Sequence, residues 1–165
     1  MSVMKKIFTG LVVLGLIAGV GWLFRGDPFY MIAGKELQGQ MAPYPADWSF
    51  SNDYETIAVE VRQHDPHSVT TSCFVHEGDL YVPAQAGSRK TWTQLAVEDP
   101  LVRVKIGDQI FSARADRVTP VDFRLYRDSI GAKYPRLAER SPDELPEDIW
   151  LFRIRPVISK SARGG

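Results

Sequence analysis

The stretch "HEGDLYVPAQAGSRKTWTQLAVEDPLVRVKIGDQIFSARADRV", His76–Val118, decides the fold because it places a helix signal between two hairpin signals. Gly78 and Asp79 interrupt one alternating apolar run, and Gly107 and Asp108 interrupt another. A glycine and an aspartate between alternating apolar residues are typical of a tight β-hairpin turn. We therefore expect two antiparallel hairpins joined by a helix.

The middle of this stretch predicts a short helix over Arg89–Glu98. Ser88 is a suitable N-cap residue, and Pro100 ends the helical pattern. The apolar residues that share one face of the helix are Trp92, Leu95 and Ala96. Two cations, Arg89 and Lys90, open the helix, although a helix start favours negative charge. These two charges need a physical explanation.

Alternation with a period of two extends outward on both sides. In "ETIAVEVRQ" the apolar Ile57, Val59 and Val61 alternate with other residues, and "SVTTSCFVHEGDLYVPA" predicts a second and a third strand. The closing "WLFRIRPV", residues 150–157, alternates in the same way. The predicted fold is mainly β with a few helices, an antiparallel barrel of about six strands. The residues expected in its core are Ile57, Val59, Val61, Leu80, Val82, Trp92, Val102, Val104, Ile106, Phe152 and Ile154.

Two further helix signals follow the second hairpin. Thr119, Pro120 and Asp122 predict a helix start, and the helix is expected to end near Gly131. The sequence "SPDE", Ser141–Glu144, has the form of a capping box and predicts a short helical turn.

Composition limits the classes of function. The chain has 165 residues, of which 44% are hydrophobic and 24% charged, as in a globular domain. Twenty Lys and Arg residues balance 20 Asp and Glu residues, so the basic excess that phosphate-backbone binding requires is missing, and nucleic acid is not an expected partner. The single cysteine, Cys73, lies in a β-like run and is expected to be a buried structural thiol.

The N-terminus carries an uncharged apolar run. "IFTGLVVLGLIAGVGWLF", Ile7–Phe24, has 18 residues, the length of a membrane-spanning helix, and Lys5 and Lys6 before it favour a cytoplasmic N-terminus with an external domain. We interpret it as a retained single-pass anchor; a cleaved secretory signal is the alternative. Gly15 and Gly19 form a GxxxG pair that would let two anchors pack as a homodimer, and a merely glycine-rich span is the alternative.

Four segments follow from these patterns. Residues 1–24 form the membrane anchor, residues 25–47 a Pro- and Gly-rich linker, residues 48–160 the barrel domain, and residues 161–165 a flexible tail. Aromatic residues in or beside the linker are expected either at the membrane interface or against the domain. They are Phe29, Tyr30 and Trp48.

The central stretch resembles the FMN-binding split β-barrel superfamily, which includes pyridoxamine 5'-phosphate oxidase-like proteins and the deazaflavin-dependent nitroreductases. The shared features are the "dG-lYv" hairpin, a Lys-x-Trp helix start and the hairpin that follows, and "LFRIRP" is similar to the last barrel strand. The similarity covers roughly residues 55–157. With its apolar N-terminus, the chain looks like a membrane-anchored branch of the superfamily. The resemblance implies a split barrel and an oxidoreductase that uses FMN or a deazaflavin.

The resemblance also gives the two cations a role. It implies that Lys90 holds the phosphate of FMN or a deazaflavin, with Ser88 and Arg89 beside it. A helix N-terminus presents unpaired N–H groups and partial positive charge, so cations there are favourable when an anion binds. The other expected cofactor-binding residues are Trp92, Thr70 and Thr71. The alternative is a solvated pair of cations on a helix that Trp92 holds by packing.

The histidines are weaker candidates. His64 and His67 flank Asp65 and Pro66, in a segment where the nitroreductases have a "TGRKSG"-like phosphate loop. Pro66 breaks helical spacing and no second ligand pair follows, so we expect no metal site and interpret the segment as a loop that caps a strand. His76 precedes a turn and is expected to be exposed.

Two functions from different classes remain open. One is a flavin- or deazaflavin-dependent oxidoreductase at the membrane, in which the cofactor carries the electron chemistry. The other is a cofactor-free interaction module that uses the barrel as a rigid platform. An external domain would be separated from the cytoplasmic pool of these cofactors, which weighs against the first function. The sequence assigns neither a substrate nor a catalytic residue.

Overall fold

Eight strands and a few helices build the part of the chain that the computed structural model describes, residues 12–13, 27–28, 32–139 and 146–157. The strands are β1 (Gln40–Ala42), β2 (Ile57–Val61), β3 (His67–Thr71), β4 (Phe74–His76), β5 (Asp79–Gln85), β6 (Leu101–Ile106), β7 (Gln109–Arg117) and β8 (Ile149–Arg155). The helices in residues 32–139 are α1 (Thr91–Glu98), α2 (Arg127–Lys133) and α3 (Pro135–Ala138), with 3₁₀ turns at Ser49–Asp53, Gly87–Arg89 and Phe123–Tyr126.

The strands form one curled sheet in the order β3-β2-β6-β7-β8-β5-β4, with β1 added in parallel beside β7. All other pairs are antiparallel. The Thr71 hydroxyl on edge strand β3 lies 3.5 Å from the Pro83 carbonyl oxygen on β5, so the sheet turns back towards itself. The predicted architecture, mainly antiparallel β with a few helices, is confirmed and is consistent with a split barrel.

The strand count exceeds the predicted six for two reasons. "SVTTSCFVH" was expected to form one strand, but it breaks at Ser72 and Cys73 into β3 and β4, which end up at opposite ends of the strand order. In addition, β1 forms within the segment predicted as linker, where three residues pair with β7 through their backbones. Such a short backbone-paired strand leaves no apolar pattern in the sequence.

The core prediction is confirmed, because every residue in it is buried. Helix α1 contributes Trp92 and Ala96 to this core, and the Trp92 ring lies 5.3 Å from that of Phe152. A second cluster forms on the other face of the sheet beside the segment that leads into α2. It consists of Phe74, Tyr81, Tyr126 and Leu151.

Helix α2 and Tyr134, which follows it, tie the second face to the barrel. Lys133 Nζ donates to the Ser51 carbonyl at 2.9 Å and lies 3.1 Å from Cys73 Sγ, while the Tyr134 hydroxyl lies 3.0 Å from both the Glu55 and Cys73 carbonyls. Burial raises the pKa of Tyr134 to about 12. Burial also raises the pKa of Cys73, which confirms the expected buried structural thiol.

Residues 32–48 form what we call the N-terminal strap, which lies along the barrel. Gly34 pairs with Ser68 at the edge of β3, β1 pairs with β7, and Trp48 is fully buried. The strap therefore packs onto the barrel. Of the two positions expected for Trp48, at the membrane interface or against the domain, the structure shows the one against the domain. Phe29 and Tyr30 lie outside the described residues.

Buried charges hold the strap on the outer face of β2 and β6. The Glu60 carboxylate, fully buried on β2, accepts hydrogen bonds from the Leu37 N–H at 2.6 Å and from two Arg103 guanidinium nitrogens at 2.7 Å. Arg103 also pairs with Glu36 of the strap at 3.2 Å. On the same face, the Lys105 ammonium donates to the Asp27 carboxylate and to a strap carbonyl.

The two hairpin turns differ slightly from expectation. The second lies at Gly107 and Asp108, as predicted, because Ile106 pairs with Gln109. The first is shifted by one residue from the predicted Gly78 and Asp79. It consists of Glu77 and Gly78, whose φ values of 52° and 82° fit a tight turn in which both central residues have positive φ.

The later helix signal is partly confirmed. The Asp122 carboxylate accepts a hydrogen bond from the Arg124 N–H at 3.0 Å, and the 3₁₀ turn that it caps leads into α2. His76, expected to be exposed, is half-buried because α2 packs against β4 and the Ser129 hydroxyl lies 2.9 Å from the imidazole Nδ1.

Several predictions fall on residues outside the described ranges. They are the anchor apart from residues 12–13, the GxxxG pair Gly15 and Gly19, the capping box Ser141–Glu144, and the tail, residues 161–165. Within the described ranges, a search for a helix with the length and apolar character of a membrane span finds none.

Candidate functional site

A cleft of about 310 Å³ lies between edge strand β3 and the start of α1. Four of the six predicted cofactor-binding residues line it: Thr70, Thr71, Lys90 and Trp92. The other lining residues are Ile32, Ala33, His67, Val69 and Thr91. Residues separated by 20 positions in sequence, at the end of β3 and the start of α1, thus meet at one concave site.

The register of β3 determines which of its residues face α1. The directly opposed pairs are Thr71 with Ile57, Val69 with Val59 and His67 with Val61. Because directly opposed residues point to the same face of a sheet, His67, Val69 and Thr71 share the face of the buried β2 side chains. Thr70 points to the opposite face and also borders a smaller cavity of about 180 Å³ beside Lys105.

The start of α1 carries no acidic or side-chain cap. Lys90, not the predicted Ser88, occupies the N-cap position, and the first turn of the helix contains no acidic residue. The Thr93 hydroxyl bonds to two carbonyl oxygens, Gly87 O at 2.5 Å and Lys90 O at 2.6 Å, so it does not serve the helix N–H groups. Those N–H groups and the dipole they carry favour an anion at this end of the cleft.

Ser88 bonds to a residue outside the cleft, Asp148. The Ser88 hydroxyl donates to Asp148 Oδ2 at 2.6 Å, and the Ser88 N–H lies 3.1 Å from Oδ1. The pKa of Asp148 is lowered chiefly by this hydroxyl and also by the charge of Arg89. Gly87 permits this arrangement, because a Cβ at that position would lie 2.3 Å from the Trp150 ring. Neither Ser88 nor Arg89 lines the cleft.

The surroundings of the cleft are electropositive. The pKa of His67 is lowered by burial and, in addition, by the charges of Arg62 and Lys35. Arg62 and Lys35 share one carboxylate, Asp65, at 2.6 Å and 4.0 Å. Across residues 32–139 and 146–157, no carboxylate forms an ion pair with Lys90. The donors fit a phosphate or a carboxylate.

His67 and Thr91 are the polar lining residues that the sequence interpretation missed. The sequence interpretation weighed His67 as a metal ligand and preferred to place it in a loop that caps a strand, whereas the structure places it as the first residue of β3. The described residues contain no group of three His, Cys, Asp or Glu side chains that could hold a metal. The signal that could have found His67 is the period of two, since it lies two and four residues before Val69 and Thr71 on the same strand face.

The fold is a curled, mainly antiparallel sheet that is consistent with a split barrel, and it carries a cationic, partly apolar cleft. No protein-family model matches the chain, and the search of curated proteins finds no match. Among solved structures, the chain is similar to HutZ, the heme storage protein from Vibrio cholerae, with a TM-score of 0.51 and 16% identity over 67% of this chain and 87% of that chain.

Two other solved structures are similar at a lower level. One is an F420-H2-dependent reductase, with a TM-score of 0.48 and 16% identity over 62% of this chain and 95% of that chain. The other is a protein of unknown function from Agrobacterium tumefaciens, with a TM-score of 0.49 and 20% identity. The match to the latter covers 62% of this chain and spans about half, 48%, of that protein's length. The likeness to HutZ shows a shared fold and nothing beyond it.

Proposed function

We propose that the cleft between β3 and α1 binds a flavin-type cofactor, FMN or a deazaflavin, by its phosphate, and that the protein is an oxidoreductase. One observation carries the proposal. Lys90, Thr71 and Trp92, predicted from the sequence as cofactor-binding residues, meet at a cleft whose helix start has neither an acidic residue nor a side-chain cap. An anion at this point would satisfy the helix N–H groups and the Lys90 ammonium together.

The donors and the apolar walls fit such a cofactor. The Lys90 ammonium and the Thr71 and Thr91 hydroxyls can donate to phosphate oxygens, while Trp92 and Val69 offer apolar surface to a ring. The volume of about 310 Å³ lies at the lower end of the range for small-molecule sites, so part of the cofactor would remain exposed. When bound, the cofactor supplies the electron chemistry, and the chain's own residues bind and orient it.

On this proposal, some of the predicted residues contact the cofactor and others only position the loop that carries Lys90. Lys90 contacts the phosphate, whereas Ser88 holds the preceding loop to Asp148 and thereby positions Lys90 at the helix start. Thr70, on the opposite face of β3 from Thr71, borders the cleft from its rim.

We also propose that the apolar run Ile7–Phe24 anchors the protein in a membrane with the barrel outside the cytoplasm. The protein should then stay in the membrane fraction after high-salt and carbonate washing, and external protease should reach the barrel in intact cells. Recovery of a shortened soluble chain would instead support a cleaved signal. Homodimerisation through Gly15 and Gly19 is a further proposal, tested by cross-linking the full chain with and without Gly15→Leu.

The cofactor proposal is tested with the full-length chain in mild detergent. Absorbance in the near ultraviolet and blue shows whether a flavin or deazaflavin copurifies, and titration with FMN, a deazaflavin and riboflavin measures affinity. FMN should bind at least about tenfold more tightly than riboflavin, because only FMN carries the phosphate that Lys90 contacts. Equal affinities for FMN and riboflavin would remove the phosphate site. No binding of any of the three at high micromolar concentration would favour the cofactor-free interaction module.

A further inference from the structure

His67 lies in the wall of the cleft as the first residue of edge strand β3. It shares a strand face with Val69 and Thr71, opposite the start of α1 where Lys90 stands. The side chain is half-buried, and within the described residues its imidazole has no hydrogen-bond partner. A titratable group that lines a cationic cleft without a fixed partner is available to a ligand.

The charged groups around His67 are mostly positive. Burial lowers the pKa of His67 most; Arg62 and Lys35, from the loop before β3 and from the strap, lower it further, and Asp65 opposes them. The Asp65 carboxylate is held by the Arg62 guanidinium at 2.6 Å. Lys90 adds a cation from α1.

The strand beside His67 supplies no compensating charge. Its partner on β2 is the apolar Val61, and the neighbouring Glu60 points to the opposite face, where Arg103 pairs with it. Protonation of His67 in the free protein is therefore opposed by burial and, in addition, by neighbouring positive charge. A bound anion would reverse that balance, since it brings negative charge to the same cleft.

We propose that His67 is a further phosphate-binding residue that takes up a proton when an anion enters the cleft, so that the site binds phosphate compounds more tightly as the pH falls. This inference rests on the proposed phosphate site and adds proton-linked regulation to it. The linkage follows from the geometry, because a ligand that stabilises the imidazolium must, reciprocally, be bound more tightly when the imidazole is already protonated.

The experiment uses the full-length chain in detergent with two probes, FMN and inorganic pyrophosphate, titrated between about pH 8 and about pH 5. His67→Gln removes the titrating group. His64→Gln is the matched control, because His64 is an exposed histidine of the neighbouring loop that does not line the cleft. Dividing the wild-type affinity by that of His67→Gln cancels the titration of the phosphate itself. This ratio should rise as the pH falls, by up to about tenfold per pH unit.

The histidine titration itself gives a second readout that does not depend on the variant folding well. In the wild-type protein, NMR should show that pyrophosphate raises the pKa of His67. An affinity ratio that does not change with pH, or a His67 titration unaffected by pyrophosphate, overturns the proposal. Proton-linked pyrophosphate binding without binding of FMN or of a deazaflavin would keep this inference and reject the flavin proposal. Absence of binding of pyrophosphate, FMN and a deazaflavin rejects both.

Discussion

The two faces of the sheet at β2 and β3 use similar charged residues in opposite ways. On the outer face, Glu60, Arg103 and Lys105 are each paired with another group, and the pairs fasten the strap. On the inner face, at the cleft, Lys90 and His67 have no carboxylate of their own among the described residues.

This difference separates structural charge from binding charge. A buried ion pair with all its hydrogen bonds made fixes the arrangement of the elements that carry it, and removing one partner leaves an uncompensated charge. Charges of one sign that line a cleft without partners slightly lower the stability of the free protein. They become favourable when a ligand of opposite sign binds. Substitutions on the outer face should therefore change stability, and substitutions in the cleft should change binding.

The largest expected effect belongs to Glu60→Ala on the outer face. It removes the acceptor for the Leu37 N–H and leaves the Arg103 guanidinium without its buried partner. We expect the free energy of unfolding to fall by about 3–5 kcal/mol, measured by denaturant unfolding of the full-length chain.

The double variant Glu60→Leu/Arg103→Leu is the control for this prediction. Removing both charges replaces the ion pair by apolar packing, so the stability lost through the unpaired guanidinium should return, while the part lost with the acceptor of the Leu37 N–H should not. If the double variant is as unstable as Glu60→Ala, the pair does not act through charge compensation, and the contrast between the two faces loses its physical basis.

The next effect compares one lysine from each face. Lys90→Ala should weaken FMN binding by about 1.5–3 kcal/mol, roughly ten- to a hundredfold, because it removes a charge-assisted hydrogen bond to phosphate, and should leave stability nearly unchanged. Lys105→Ala should lower the stability and leave FMN affinity nearly unchanged, since Lys105 bonds Asp27 and the strap. FMN titration and thermal unfolding of both variants check the crossed pattern. Loss of stability in Lys90→Ala with unchanged affinity would contradict it.

The sequence predicted those parts of the fold in which side-chain pattern decides structure. Alternation in β2, β6 and β8 identified the core, and the helix carrying Trp92 was found with its C-terminal end at Glu98 correct. Backbone pairing was invisible to the same reasoning. The strap's β1 contributes three residues whose pairing with β7 has no side-chain signature. The break at Ser72 and Cys73 lies in a stretch that has no glycine or proline to mark it.

The candidate site was predictable in its residues more than in their partners. Lys90, Trp92, Thr70 and Thr71 meet at one cleft, as the resemblance implied. Ser88 is not the N-cap because its hydroxyl donates a hydrogen bond to Asp148, which lies 60 positions away. No local sequence pattern indicates so distant a partner. The same holds for His67, whose role depends on which strand face meets α1.

A smaller effect concerns how the free energy of unfolding depends on pH through His67. The pKa of His67 in the folded protein is lowered from 6.5, so the unfolded chain binds this proton more readily. The stabilising contribution is fully present above the unfolded value and is lost as the pH falls through the folded one. His67 is half-exposed, so we expect a loss of less than about 1 kcal/mol, and His67→Gln should lack it. Unfolding free energies at several pH values check this, with His64→Gln retaining the wild-type slope. An unchanged slope in His67→Gln would assign the acid sensitivity to other groups.

The smallest expected effect is that of Arg89→Ala, and it tests the boundary between the two kinds of charge. Arg89 precedes α1, where the helix dipole disfavours a cation by a few tenths of a kcal/mol, and its charge is attracted weakly to that of Asp148. These contributions nearly offset each other, so stability should change by no more than about 0.5 kcal/mol and FMN affinity by less than about threefold. The titrations and unfolding curves used for Lys90→Ala measure both quantities. If Arg89→Ala weakens FMN binding as strongly as Lys90→Ala, both cations hold the phosphate, as the sequence alone predicted, and the assignment of Arg89 to Asp148 is wrong.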